Sequence, residues 1–146
     1  MSGKLWERRS VGKPPSFKSP EEMWDRAVEY FEWCEINSIE ADKVFCFQGE
    51  VIHGGEKKMR AMTQHGLCCF LNISVATWHN YKAKDEYLEV TGQIEEIMYE
   101  QKFSGAAAGV LSSNIIARDL GLTDKHEVTS VGGETTPWSS IGKSDE

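Results

Sequence analysis

From Ser19 onward, apolar residues recur at the spacing of an amphipathic helix. Met23, Trp24, Ala27, Val28, Phe31 and Cys34 form one stripe, and Glu21, Glu29, Glu32 and Glu35 stay largely outside it. Ser19 suits the N-cap, Pro20 the first helical position, and Glu22 completes a capping box. The period then changes. Val44–Phe47 and Glu50–His53 are β-prone runs around Gln48-Gly49, which predicts a short hairpin ended by Gly54-Gly55. A lone hairpin is only marginally stable, so this one should pack on helices or on a neighbouring subunit.

Helical patterning resumes at Thr63, which can cap a short helix carrying Leu67, Phe70 and Leu71. Asn72 tolerates the left-handed turn conformation, and Ser74 can cap a second helix from Val75 to Ala83. Two short helices around a tight turn predict a helix-turn-helix unit. At about 100° per residue, Val75, Trp78 and the stem of Lys82 point one way; Ala76, Thr77, Asn80 and Lys84 point the other. The second set is small, polar or basic and suits a DNA groove. Helix pairs of this kind also occur as plain structure.

A longer helix is expected over Asp85–Lys102, carrying Tyr87, Val90, Ile94, Ile97 and Met98, with a break at Phe103-Ser104. Gly105–Gly109 should open a last helix running through Leu111, Ile115 and Ile116 to Leu120, with Gly121 as its stop. Small residues there predict close helix packing within or between subunits. Beyond Leu122, Glu127–Val131 reads as a lone strand and residues 132–146 as an acidic, mobile tail. The lone strand would find partners in the same strand of other copies.

The fold class is therefore mostly α. The expected organisation is a mobile basic arm at 1–18, a DNA-binding helical domain with a hairpin at 19–84, oligomerisation helices at 85–122, and a C-terminal strand with acidic flexible tail at 123–146.

Net charge is −7, which argues against a simple basic DNA-binder, but the charges fall in blocks. Residues 1–18 carry +4, 19–52 carry −7, 53–84 carry +4 and 85–146 carry −8. A polyanion would meet only the basic blocks. The candidate DNA contacts are Arg8, Arg9 and Lys13 on the arm, Lys57, Lys58 and Arg60 before the helix pair, and Thr77, Asn80, Lys82 and Lys84 on its second helix.

Catalytic chemistry is not expected. No G-x-S-x-G, H-E-x-x-H or G-K-[ST] phosphate loop occurs, and the four histidines lack supporting spacing. Cys34, Cys46, Cys68 and Cys69 form no C-x-x-C pair, so buried reduced thiols are expected, with no metal and no cofactor. A zinc site using His53 or His65 would lack ligand spacing. No apolar run is long enough to span a bilayer, and charges interrupt any apolar start, so neither membrane insertion nor secretion is expected.

Longer motifs add a resemblance. Met59-Arg60-Ala61-Met62-Thr63 with Gly66-Leu67, Phe70 and Thr77-Trp78 resembles the small terminase subunits of tailed bacteriophages. So do Tyr99–Ala108 and Asn114–Leu122; Tyr30–Trp33 and Phe47–Ile52 fit in order. The likeness runs from about Trp6 to Leu122. It implies a non-catalytic ring of more than four subunits in the cytoplasm of an infected host. Such a ring recognises double-stranded viral DNA at the packaging start and presents it to the large terminase subunit, the ATPase and nuclease. Carried onto this chain, it places DNA contact at Thr63–Lys84, and oligomerisation at Asp85–Leu122. Gly105, Ala107, Ala108, Leu111 and Ile115 are then the candidate subunit contacts. The strand near Glu127–Val131 would join an inter-subunit β-barrel. Relatives often end in a longer basic tail; here Glu134, Lys143, Asp145 and Glu146 make it short and acidic, against a DNA role for the tail. Competing readings are a dimeric helix-turn-helix transcription regulator and a structural adaptor that binds protein only.

Overall fold

The computed structural model describes residues 4–8, 11–12 and 16–123. It is mostly helical, with one two-stranded antiparallel hairpin. The expected strand at Glu127–Val131 and the tail after it lie outside the described residues, as do Arg9 and Lys13.

Helix α1 spans Pro20–Ile36. Its start follows the expected chemistry: the Ser19 hydroxyl accepts from the Glu22 backbone N–H at 3.2 Å. The Glu22 carboxylate reaches past the cap to the Lys18 N–H, at 2.7 Å. The buried stripe is Met23, Ala27, Tyr30, Trp33 and Cys34. It is turned from the expected one, so that Trp24 and Phe31 are left at its half-buried edge.

The hairpin consists of β1 (Ile39–Phe47) and β2 (Glu50–Lys58). Gln48 and Gly49 both have positive φ, 50° and 85°, which matches the twist of a two-residue hairpin turn. Both strands run past the expected end. Gly54 and Gly55 are paired within the ladder, opposite Lys43 and Asp42. The Phe45 ring occupies the space above Gly54, where a Cβ would meet it at 3.3 Å. This cross-strand contact gives the glycine a packing partner and lets pairing continue. Cys46 is exposed on β1, contrary to the expectation of burial, whereas Cys34 and Cys68 are buried.

Helices α2 (Gln64–Leu71) and α3 (Val75–Lys82) follow. Thr63 and Ser74 cap them through hydroxyls that accept the N–H of Gly66 and Thr77, each at 3.0 Å. Between the helices, Asn72 adopts the left-handed conformation at φ 56°, as its side chain permits.

Helix α4 (Asp85–Ala107) corrects one expectation. It passes through Phe103-Ser104 without a break, and Gly105 lies in its last turn rather than opening the next helix. Termination falls at Gly109, with φ +73°. The Gly109 N–H bonds the Ala106 carbonyl at 3.1 Å and the Val110 N–H bonds that of Gly105 at 2.9 Å, a glycine C-terminal motif. The last helix, α5 (Ser113–Asp119), is correspondingly short. It ends the same way at Gly121, with Leu122 N–H on the Ala117 carbonyl at 2.9 Å.

One core unites α1 to α4. Tyr30 and Trp33 of α1 pack on Phe70 of α2, at ring centroids 5.6 and 6.1 Å apart. Trp78 and Tyr81 of α3 meet Tyr87, Val90, Ile94 and Met98 of α4 in the same cluster. Each such side chain, fully buried, contributes about 1.5–3 kcal/mol. The arm, expected to be mobile, packs where it is described. The 3-10 turn Leu5–Arg8 sits on α2, with the Arg8 guanidinium 3.7 Å from the centre of the Phe70 ring. Phe17 is tied by its N–H to the Tyr81 hydroxyl (3.0 Å) and by its carbonyl to the Tyr87 hydroxyl (3.2 Å). Apolar Leu5 and Phe17 supply the reason, since both pack against the core.

Candidate nucleic-acid interface

Helix α3 is held on one side and open on the other. Trp78 is fully buried and Tyr81 nearly so, and Val75 packs against the core at lower burial. Ala76, His79, Asn80, Ala83 and Lys84 are exposed. Expected residues Asn80 and Lys84 therefore share an open surface. Thr77 is half-buried, and its hydroxyl lies 2.9 Å from that of Ser74. Sequence reasoning missed His79, whose Nε2 lies 3.3 Å from the Gln64 amide nitrogen across the α2–α3 turn. It also missed the burial of Tyr81, which rotates the anchored side of α3 away from His79. An aromatic three residues after Trp78 was the available signal.

The candidate cations divide. Lys82 is held by the Glu95 carboxylate of α4 at 2.7 Å. Arg60 turns inward: its Nε donates to the Asn37 carbonyl at 2.7 Å, and its guanidinium lies 5.0 Å from the Trp33 ring centre. It thereby ties the end of β2 to the end of α1. Arg8 stacks on Phe70. Lys57 and Lys58 are exposed at the base of the hairpin, and Lys84 is exposed while its ammonium lies 4.8 Å from the Tyr81 ring centre. Among the described candidates, Lys57, Lys58 and Lys84 thus have no carboxylate within ion-pair distance.

A second network supports α2. The Tyr30 hydroxyl accepts from the Thr63 N–H at 3.1 Å and donates to the Thr63 carbonyl at 3.3 Å. Burial pushes the Tyr30 phenol above its ordinary range, and the neighbouring Cys34 adds to this. Burial likewise raises the Cys34 thiol. Both are neutral packing groups at ordinary pH.

The candidate subunit contacts also divide. Gly105 is buried: a Cβ there would lie 2.7 Å from Leu111 Cδ1 and 3.0 Å from Met59 Sδ. Gly105 and Leu111 are thus engaged within the chain. Ala107, Ala108 and Ile115 are exposed. So are Leu88 and the parallel-stacked pair Tyr99 and Phe103, 6.1 Å apart, on the outer side of α4.

The family model described as "DNA-packaging protein gp3" matches residues 12–128, which include α1 to α5 and the hairpin. A relative from Salmonella phage P22, described as "Terminase, small subunit", is 47% identical over 129 residues, covering 88% of this chain and 80% of its own. The chain belongs to the small terminase family of phage DNA-packaging proteins. Its place is therefore in genome packaging. Among the described residues, no group of three or more His, Cys, Asp or Glu side chains could hold a metal ion. No helix of the described residues is long and apolar enough to cross a membrane.

Proposed function

We propose that this chain recognises double-stranded viral DNA at the packaging start and presents it to the large terminase subunit, acting without catalysis in the host cytoplasm. It does so as a ring of more than four copies. The observation that carries the reading is helix α3, with Trp78 and Tyr81 buried behind it, Ala76, His79 and Asn80 open in front, and Lys84 open just past its end. α2 and α3 act as a helix-turn-helix unit. Small side chains at Ala76 and Ala83 let the helix approach base edges, Asn80 reads them, and Lys84 holds a phosphate.

A few free cations per chain bind DNA weakly at physiological salt. Several copies around a rim raise effective concentration, so avidity replaces the missing charge. The acidic blocks limit indiscriminate binding. The large subunit supplies ATP hydrolysis and cleavage, and this chain modulates them.

The test is duplex binding measured across a salt series, on packaging-site and random DNA, with light-scattering mass recorded alongside. The expected result is a species above four chains that prefers packaging-site DNA and whose affinity falls steeply with salt. A stable monomer or dimer, or binding indifferent to sequence and salt, would overturn it. ATP and DNA turnover should appear only when the large subunit is added.

A further inference from the structure

Helix α3 and its C-cap carry four exposed residues on one side, Ala76, His79, Asn80 and Ala83. At about 100° per residue, Ala76 and Ala83 mark a line along the middle of that side, and His79 and Asn80 stand on either side of it. The two alanines let a surface come close along the line. Polar side chains flanking it reach different base pairs of a duplex lying against the helix. Asn80 takes one flank. His79 takes the other, the flank that meets α2.

His79 does not stand alone. Its Nε2 lies 3.3 Å from the side-chain amide nitrogen of Gln64, the first residue of α2. An amide nitrogen only donates, so Nε2 accepts, and the ring proton sits on Nδ1. Among the described residues, Nδ1 has no hydrogen-bond partner, and no carboxylate lies within ion-pair distance of the ring. The imidazole thus keeps one N–H donor unused, on an exposed residue whose ring is held from α2. Ordering an exposed side chain costs affinity, and a contact already made in the free protein removes part of that cost.

We propose that His79 is a second base-reading residue of α3, donating from Nδ1 to a guanine in the major groove, and that Gln64 is its positioning residue. Guanine suits a lone donor best, because its major-groove edge offers two acceptors, N7 and O6, and no donor. Adenine sets the N6 donor beside N7, thymine sets a methyl group beside O4, and cytosine offers a donor alone. Gln64 acts through the ring: by donating to Nε2 it holds both the orientation and the tautomer in which Nδ1 carries the proton. With Asn80 on an adenine edge, the recognised site then carries an adenine and a guanine at separate base pairs. This deepens the DNA reading of α3 proposed above and rests on it.

The experiment uses the full chain and a library of randomised duplexes. Bound sequences are selected, and each base pair of the preferred duplex is then varied in turn. The variants are His79→Ala, Gln64→Leu, the two combined, and Asn80→Ala. Circular dichroism and thermal melting check that each folds; Gln64 is half-buried, so Gln64→Met replaces Gln64→Leu if the latter melts early. The unaltered protein should prefer G·C at one base pair. His79→Ala should lose that preference by roughly two- to tenfold, the worth of one hydrogen bond, and leave the other positions alone. Gln64→Leu should lose the same preference, and the combined variant should be no worse than His79→Ala. Asn80→Ala should lose preference at a different base pair. Four results each overturn the proposal and leave the α3 reading standing, provided Asn80→Ala still loses its base pair. They are unchanged preferences in folded His79→Ala, equal loss on every duplex, an A·T preference at the His79 position, and a Gln64 effect that is absent or adds to that of His79. An unaltered protein with no base preference overturns both.

Discussion

The Trp78 indole N–H points at the carboxylate of Glu95, 3.3 Å away, and thereby fixes α3 across α4. The same carboxylate oxygen takes the Lys82 ammonium at 2.7 Å. One acidic side chain of α4 therefore orients two residues of α3, and with them the outward position of Asn80 two residues after Trp78. The Lys82–Glu95 pair is about one-third exposed, so solvent screening limits it to about 0–1 kcal/mol. Glu95→Ala removes both interactions and should cost about 1–2 kcal/mol, read as a lowered urea midpoint at unchanged slope. Lys82→Ala should cost less than half of that. A larger loss on the lysine change would mean that its stem packing, not the carboxylate, positions α3.

Tyr30 makes a pH prediction. Its folded-state phenol is raised above the ordinary 10.0, and the Cys34 thiol above its ordinary 9.0. Below those ordinary values both groups are neutral whether the chain is folded or not, and their contribution is fully present. As pH rises past them, the unfolded chain ionises first and is favoured, so stability falls. Tyr30→Phe should cost about 1–3 kcal/mol at neutral pH, because the Thr63 N–H loses its acceptor. It should also flatten the alkaline decline, leaving the parts due to Cys34 and to Tyr87, whose phenol is also raised by burial. Urea unfolding from about pH 7 to about pH 11 measures both effects. An unchanged decline in the phenylalanine variant would show that Tyr30 is not its source.

Asp119 anchors α5. The Lys102 ammonium, with its side chain only 10% exposed, meets the Asp119 carboxylate at 2.6 Å. α5 has few other fixings, since Ile116 is its one buried residue. Asp119→Ala leaves a nearly buried ammonium without its partner and should cost about 1–3 kcal/mol. The loss should be local, seen as faster amide exchange in residues 113–119 with α1 to α3 unchanged. Uniformly faster exchange throughout the chain would show that α5 unfolds only with the whole.

How legible these features were in the sequence depended on whether their cause was local. Ser19, Thr63, Ser74, Asn72 and Gly121 each act within a few residues, and each stands where sequence chemistry puts it. The end of α4 was misplaced because several small residues can host a helix stop, and only packing selects among them. Gly105 lies under Leu111 and Met59, and Gly109 takes the positive φ. The hairpin was drawn too short because Gly54 reads as a breaker until Phe45 covers it. Trp33 and Tyr30 were left off the α1 stripe because aromatic and acidic positions interleave there, and only α2 decides which aromatics go inside. Of the candidate DNA contacts, Arg60 and Arg8 could not be told from free cations, because Trp33, Asn37 and Phe70 meet them from other elements.

The division of labour on α3 gives the sharpest test of DNA recognition. Lys84, two residues past the end of α3 at the N-cap of α4, is an exposed cation with no carboxylate in ion-pair range among the described residues. Its replacement by alanine should weaken binding to packaging-site and random DNA alike, and reduce the salt dependence by the loss of about one phosphate contact per engaged subunit. Asn80 is exposed but uncharged, and its amide can pair with an adenine edge. Asn80→Ala should leave random-duplex affinity and its salt dependence unchanged while lowering packaging-site preference, by about 1–3 kcal/mol for each base pair it reads. Lys82→Ala is the internal control, because its ammonium is already held by Glu95 and should contribute little to either. The three variants thus predict different signatures: general loss, loss of preference, and near-silence. Equal and salt-dependent losses from all three would mean that α3 presents only charge to the backbone. No effect from any of them would mean that α3 is a packing element, and that DNA is held elsewhere in the assembly.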